Sequence, residues 1–144
     1  MSDLYLAAPY FNDREKQSAD AVYHCLTGLG VDVFFFAYDG LVLKPDSPAA
    51  SREQAFNDNL LEIQDCDTVL AIIESDPDYG IDCGTVFDLT YAWTIGKTIY
   101  TYDSQRPGKM NVMLAMASSA HASNLVELID VINGSGKIWE GKVI

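Results

Sequence analysis

Short apolar runs alternate with longer stretches of helical periodicity along this chain. Residues 4–8 are an apolar run that stops at Pro9, as a short buried strand would. Ala21, Val22, Cys25, Leu26 and Leu29 then recur at helical spacing. They predict a helix capped by Asp13, running to about Leu29 and stopped by Gly30. Residues 31–36 are β-branched and aromatic and predict a second strand. Residues 38–48 hold Gly40, Pro45 and Pro48 and predict a loop. Ser51 is placed to cap a helix reaching Ile63, and residues 68–73 predict a buried strand. Residues 74–82 read as a polar loop with Pro77 and Gly80. A helix over 84–95, ended by Gly96, precedes a strand at 98–102 and a turn at 104–108. Residues 111–118 and 124–132 read as helices, Asn133-Gly134-Ser135-Gly136 closes the second, and 137–144 form a short tail.

This β-α-β-α-β-α-β-α order predicts one α/β domain over residues 1–144. Its sheet is doubly wound and parallel, flavodoxin- or Rossmann-like, with four to five strands flanked by helices. Ligands of such folds sit beyond the carboxyl ends of the strands. Residues 8–12, 74–82 and 103–111 are therefore expected around one crevice.

Composition narrows the function. With 144 residues, 49% of them hydrophobic, the chain has the means to bury its own core without metal or disulfide staples. The formal net charge of −12 excludes a nucleic-acid backbone as partner, because phosphate contacts need clustered Lys and Arg. A neutral nucleoside is not excluded. Cys25, Cys66 and Cys83 are widely spaced, and with only two histidines no metal site is expected. No apolar run is long enough to span a bilayer and no signal-peptide pattern opens the chain, so the expected setting is the cytoplasm, without a membrane partner. No cofactor is expected: Ala7-Ala8-Pro9 stands where a dinucleotide fold carries its glycine-rich turn.

The stretch Asp82-Cys83-Gly84-Thr85-Val86-Phe87-Asp88-Leu89 carries the clearest chemistry. Asp82 is a good helix cap, and Asp88 follows among apolar neighbours. On pattern alone Asp88 faces either solvent or the strand-end crevice. In the crevice, the helix N-terminus would help keep it ionised, as a carboxylate nucleophile requires. Asn57, Asp58 and Asn59 read equally as a polar helix face, Tyr10 and Phe11 as core or rim aromatics, and Asn111 as an N-cap.

Taken together, the segments resemble one family. Leu4 to Phe11, Phe56-Asn57-Asp58-Asn59-Leu60 with Ile63, Asp82 to Ala92 with Gly96-Lys97, Asn111-Val112-Met113 and Trp139 to Ile144 are similar, in order, to segments of the nucleoside 2-deoxyribosyltransferases. The resemblance implies an enzyme that exchanges the base of a 2′-deoxynucleoside for a free nucleobase through a covalent deoxyribosyl–carboxylate ester. It implies Asp88 as nucleophile, Tyr5 as the tyrosine that positions it, and Asp82 as a carboxylate beside the base. Ala8, Pro9, Tyr10, Phe11 and Asn59 would line the substrate site. Asn111, with Met113, would reach the sugar 5′-hydroxyl of a neighbouring subunit, so a homo-oligomer between dimer and hexamer with shared active sites is implied.

The chain departs from the family in three places. Asp88 stands where the family carries Glu, Asn59 where it carries an acid, and Ile144 where a polar aromatic is expected. The lost methylene shortens the nucleophile by roughly 1.5 Å. Two alternatives follow: a deoxynucleoside N-glycosidase in which water attacks, and a nucleoside-binding protein without chemistry.

Overall fold

The computed structural model describes residues 2–105 and 107–144; Met1 and Arg106, the latter inside the turn expected at 104–108, lie outside the described residues. Strand β1 (Leu4–Ala7), buried at every position, leads to helix α1 (Asp13–Gly28). Next come β2 (Val33–Phe35), the single turn α2 (Phe36–Asp39) and the long helix α3 (Ala49–Asp65). β3 (Thr68–Ile72) is followed by a small antiparallel hairpin of β4 (Ser75–Asp76) and β5 (Gly80–Ile81). The second half runs through α4 (Cys83–Thr94), β6 (Thr98–Tyr102), β7 (Lys109–Met110), α5 (Val112–Ala117), β8 (Ala120–Ala122), α6 (Leu125–Ile132) and β9 (Lys142–Val143).

Five strands form one parallel sheet in the order β2-β1-β3-β6-β8. This is the doubly wound α/β fold that the element order predicts. The chain steps from β1 to one side to make β2, then crosses to the other side to make β3. That reversal opens a crevice at the carboxyl ends of β1 and β3.

The period-two alternation of the strands sorts the core into two layers. Leu4, Leu6, Leu70 and Ile72 pack with Ala19, Val22 and Leu26 of α1 and Leu128 and Val131 of α6. Tyr5, Ala7, Val69 and Ala71 pack with Ile63 of α3, Leu89 and Ala92 of α4, and Leu114 and Ala115 of α5. Tyr5 thus points toward the helices that follow β2 and β3.

Several boundaries differ from the pattern-based expectation. Asn12, not Asp13, caps α1, accepting from the Glu15 amide at 2.9 Å. Helix α3 starts two residues before Ser51, behind Pro48, and continues past Ile63 to Asp65. Pro at that position supplies a fixed φ instead of a side-chain cap. The expected loop at 38–48 begins as α2, and the expected loop at 74–82 holds the β4–β5 hairpin. The tail is tied down. Its β9 pairs in parallel with β7, and His121 bridges to Lys137.

Candidate active site

Helix α4 positions the site. Asp82 is its N-cap, with Oδ2 accepting from the Thr85 amide and the Thr85 hydroxyl, each at 2.9 Å. Thr85, Leu89 and Ala92 are buried against the sheet. The two flanks of α4 face different neighbours. On one side Phe87 lies 5.9 Å from Phe56 of α3, and the Tyr91 hydroxyl accepts from Gln64 of α3 at 2.6 Å. On the other side Val86, Thr90 and Trp93 face α5 across a groove of about 510 Å³.

Asp88 lies on the flank turned toward α3. Its Oδ2 accepts a 3.1 Å hydrogen bond from the Tyr5 hydroxyl, contributed by the central strand β1. Tyr5 has no exposed surface, and its ring stacks on Phe34 of β2 at 5.5 Å between centroids. Burial, and then the charge of Asp88, push the Tyr5 phenol far above its usual range. The phenol therefore stays protonated and acts as a donor.

Burial also pushes Asp88 up to about 7, with the charge of Asp82 adding to it and the Tyr5 hydrogen bond working against it. This corrects the expectation that the helix N-terminus holds Asp88 ionised. Asp88 is the sixth residue of α4, and the field of a helix end fades within its first turn. Desolvation is the larger effect there.

The other candidates sort into three places. Asn59 is part-exposed on α3, four residues from both Ala55 and Ile63, the residues that helix buries. It therefore shares the stripe that faces the sheet and α4. Ala8 and Pro9 are buried at the end of β1. Tyr10 leans onto the α1 layer: its hydroxyl donates to Asp20 at 2.9 Å, and its ring meets Phe35 and Tyr38 edge-on. Phe11 is exposed. Asn111 caps α5, accepting from the Met113 amide at 2.9 Å. Asn111 and Met113 line the α4–α5 groove, on the far flank of α4 from Asp88. Within one chain, then, Tyr5 and Asp88 meet, Asp82 caps the same helix with its side chain bonded only to Thr85 among the described residues, Asn59 lies on the facing helix, and Asn111 and Met113 lie on the far flank of α4.

The three segments expected at the crevice do meet, through charge. Arg14 lies 3.4 Å from Glu74, 3.7 Å from Asp76 and 3.7 Å from Glu15, and Asn12 donates to Asp76 at 3.0 Å. The Ser104 amide donates to Glu74 at 2.8 Å, and the Gln105 side chain bridges to Ser75. Burial pushes Asp103 beside them up to about 6, with the charge of Glu74 adding to it. Arg14 is thus committed to carboxylates and is a poor anchor for a substrate phosphate. No group of acids, histidines and cysteines among the described residues is arranged to hold a metal ion. No helix among them is long and apolar enough to cross a membrane.

Two contributors escape pattern reading. Phe34 backs Tyr5, and Glu62 of α3 lies close enough to raise its phenol further. Only the parallel register, which sets Tyr5 opposite Phe34, brings the first of these into view.

The chain thus holds a buried tyrosine against a carboxylate beside the switch point of a doubly wound α/β domain. The family model for nucleoside 2-deoxyribosyltransferases matches residues 4–125, and the chain belongs to that family. No curated protein gave a significant sequence match. Among solved structures, the fold is similar to a 2-deoxyribosyltransferase from Bacillus psychrosaccharolyticus, with a TM-score of 0.83 at 22% identity over 94% of this chain and 98% of that one. It is also similar to a 2-deoxyribosyltransferase from Leishmania mexicana (TM-score 0.54, 23% identity, 78% of this chain and 70% of that one). A CMP N-glycosidase from Clostridium botulinum shares the fold as well (TM-score 0.59, 18% identity, 90% and 97%). At these identities the likeness is one of fold.

Proposed function

We propose that this protein cleaves the N-glycosidic bond of 2′-deoxynucleosides and passes the 2-deoxyribosyl group to a second nucleobase. The observation that carries the reading is the Tyr5–Asp88 hydrogen bond: a buried donor engages Oδ2 and leaves Oδ1 free to react. Oδ1 attacks C1′, the C1′–N bond breaks, and its electron pair leaves with the base, which takes up a proton. The resulting ester is opened when a nitrogen of the incoming base attacks C1′, the ester electron pair returns to Asp88, and the incoming base gives up its N–H proton, balancing the one taken up by the departing base. Two displacements retain configuration at C1′. Tyr5 positions the carboxylate, and Asp82 hydrogen-bonds the base. Asn59 and the segment from Ala8 to Phe11 border the substrate, and the two displacements require no cofactor.

The 5′-hydroxyl is met by Asn111, with Met113, of a neighbouring copy, because α4 separates each chain's own Asn111 from its Asp88. The proposed working form is therefore a homo-oligomer. Exposure of Trp93 (59%), Met113 (75%) and Met116 (78%) around the α4–α5 groove supports such a face. Free thiols at Cys25, Cys66 and Cys83 suit a reducing, cytoplasmic setting for nucleoside salvage.

A second reading, hydrolysis, is favoured by one feature. Asp88 is a methylene shorter than the family's Glu, and the space of roughly 1.5 Å suits a water poised between carboxylate and C1′. Chromatography of a deoxynucleoside panel, with and without a second free base, separates the readings. A new deoxynucleoside that appears only with the acceptor base establishes transfer. Free base released alone makes the protein a hydrolase. Binding without turnover in either tube removes the enzymatic reading.

A further inference from the structure

We propose that Thr85 is a positioning residue that fixes which oxygen of Asp82 meets the nucleobase; the inference rests on the reading of Asp82 as the base-side carboxylate. A helix N-cap needs one donor, and the Thr85 amide supplies it to Oδ2 at 2.9 Å. The Thr85 hydroxyl donates to the same Oδ2, also at 2.9 Å. That second bond adds little to capping. What it fixes is the rotation of the carboxylate about its Cβ–Cγ bond, a torsion that is otherwise soft for Asp. Thr85 suits this task because it is only 2% exposed and β-branched, so its own side chain has little freedom. Gly84 keeps the approach open: a Cβ there would press to 3.3 Å from the same oxygen.

The consequence falls on the other oxygen. Oδ1 of Asp82 makes no hydrogen bond among the described residues, and it is not a buried unpaired atom, so it stands open to solvent. Asp82 caps the helix that carries Asp88 six residues on, about 9 Å along its axis, a separation on the scale of a nucleoside. Oδ1 is thus a rigid acceptor within reach of a group reacting at Asp88, suited to an N–H on the edge of a nucleobase. Without the Thr85 hydroxyl, the two oxygens of Asp82 exchange roles by rotation, and the acceptor is no longer preorganised.

A double-mutant cycle tests this, using the full-length protein, Thr85→Val, Asp82→Ser and the double variant, with Thr85→Ser as the rescue. Serine at position 82 keeps a cap oxygen but has no second oxygen for a base. Thr85→Val is expected to lower kcat/KM about tenfold, the size of one hydrogen bond to a charged group. Thr85→Ser should stay within about threefold of wild type. In the Asp82→Ser background, Thr85→Val should cost nothing further, because the group it orients is gone. Thermal unfolding checks each fold, and Thr85→Ala takes the place of Val if that variant unfolds. Losses that multiply across the cycle, or a Ser variant as poor as Val, would overturn the proposal. If wild type turns over no deoxynucleoside, the same cycle is read in the calorimetric affinity for adenine, cytosine, hypoxanthine and thymine. A non-additive cycle there upholds the Thr85–Asp82 coupling while the glycosidic reading falls. Wild type that binds none of the four bases overturns this inference as well.

Discussion

Asp88 is a carboxyl group that folding makes harder to ionise. Raised to about 7, it is largely protonated below neutral pH and available as a nucleophile above it. The kcat/KM of the proposed reaction is therefore expected to rise through about pH 7 and level off near pH 8, in a pH–rate profile on a deoxynucleoside. A flat profile between pH 5 and 8 would remove Asp88 from the nucleophile's role. The same shift acts on stability. Between the ordinary carboxyl value and 7 the folded state binds the extra proton, so stability from this group is present at acid pH and is lost as pH rises through the folded value. Asp88→Asn keeps an acceptor for Tyr5 and removes the charge. It is expected to stabilise the fold by roughly 1–3 kcal/mol at pH 8 and by almost nothing near pH 4, in urea titrations, while turnover falls at least about 10³-fold. Asp88 stood out in the sequence only through its family resemblance. Its spacing alone fits a solvated helix residue equally well, and its burial depends on β1 and α3, which lie far from it along the chain.

At the scale of elements, α1 and α4 do different work with charge. The N-terminal turn of α1 brings Arg14 against three carboxylates, of which Glu15, Glu74 and Asp76 are each buried. Removing the Arg14 cation leaves these like charges facing each other out of water. Arg14→Met is expected to lower stability by about 2–4 kcal/mol at pH 8. Chemical denaturation checks it, and an unchanged stability would contradict the charge argument. Strands β1, β2, β3 and β6 and the helices behind them were legible because apolar spacing and punctuation agreed. β8 was not. Ala120-His121-Ala122 has no β-branched residue, and it is a strand because β6 offers an edge and α6 covers it. The hairpin, α2 and the β7–β9 pair escaped for a related reason. Two- to four-residue elements carry no periodicity, and their partners lie elsewhere in the chain.

At the scale of the whole molecule, the exposed α4–α5 groove holds Asn111 away from the Asp88 of the same chain. In the proposed assembly each active site takes Asp88 from one copy and Asn111 from another. Asp88→Ala and Asn111→Ala proteins, each nearly inactive alone, are then expected to regain activity when mixed and allowed to exchange subunits, up to about a quarter of wild type for a site shared by two copies. No recovery, with exchange verified by mass, would return both residues to one chain. Met116→Glu should reduce the oligomer to smaller species in light scattering, since it sets a charge in the middle of an apolar face.

The contact between Tyr5 and Asp88 spans 83 positions of sequence. A ribosome releasing this chain presents Tyr5, on what becomes a central strand, long before β3 and α4 exist to enclose it. Until then only β2 and α3 can cover the face of β1 that carries the phenol. The reactive constellation accordingly cannot form before α4 has emerged. A fragment ending ahead of α4 would carry a sticky strand and no trace of the chemistry.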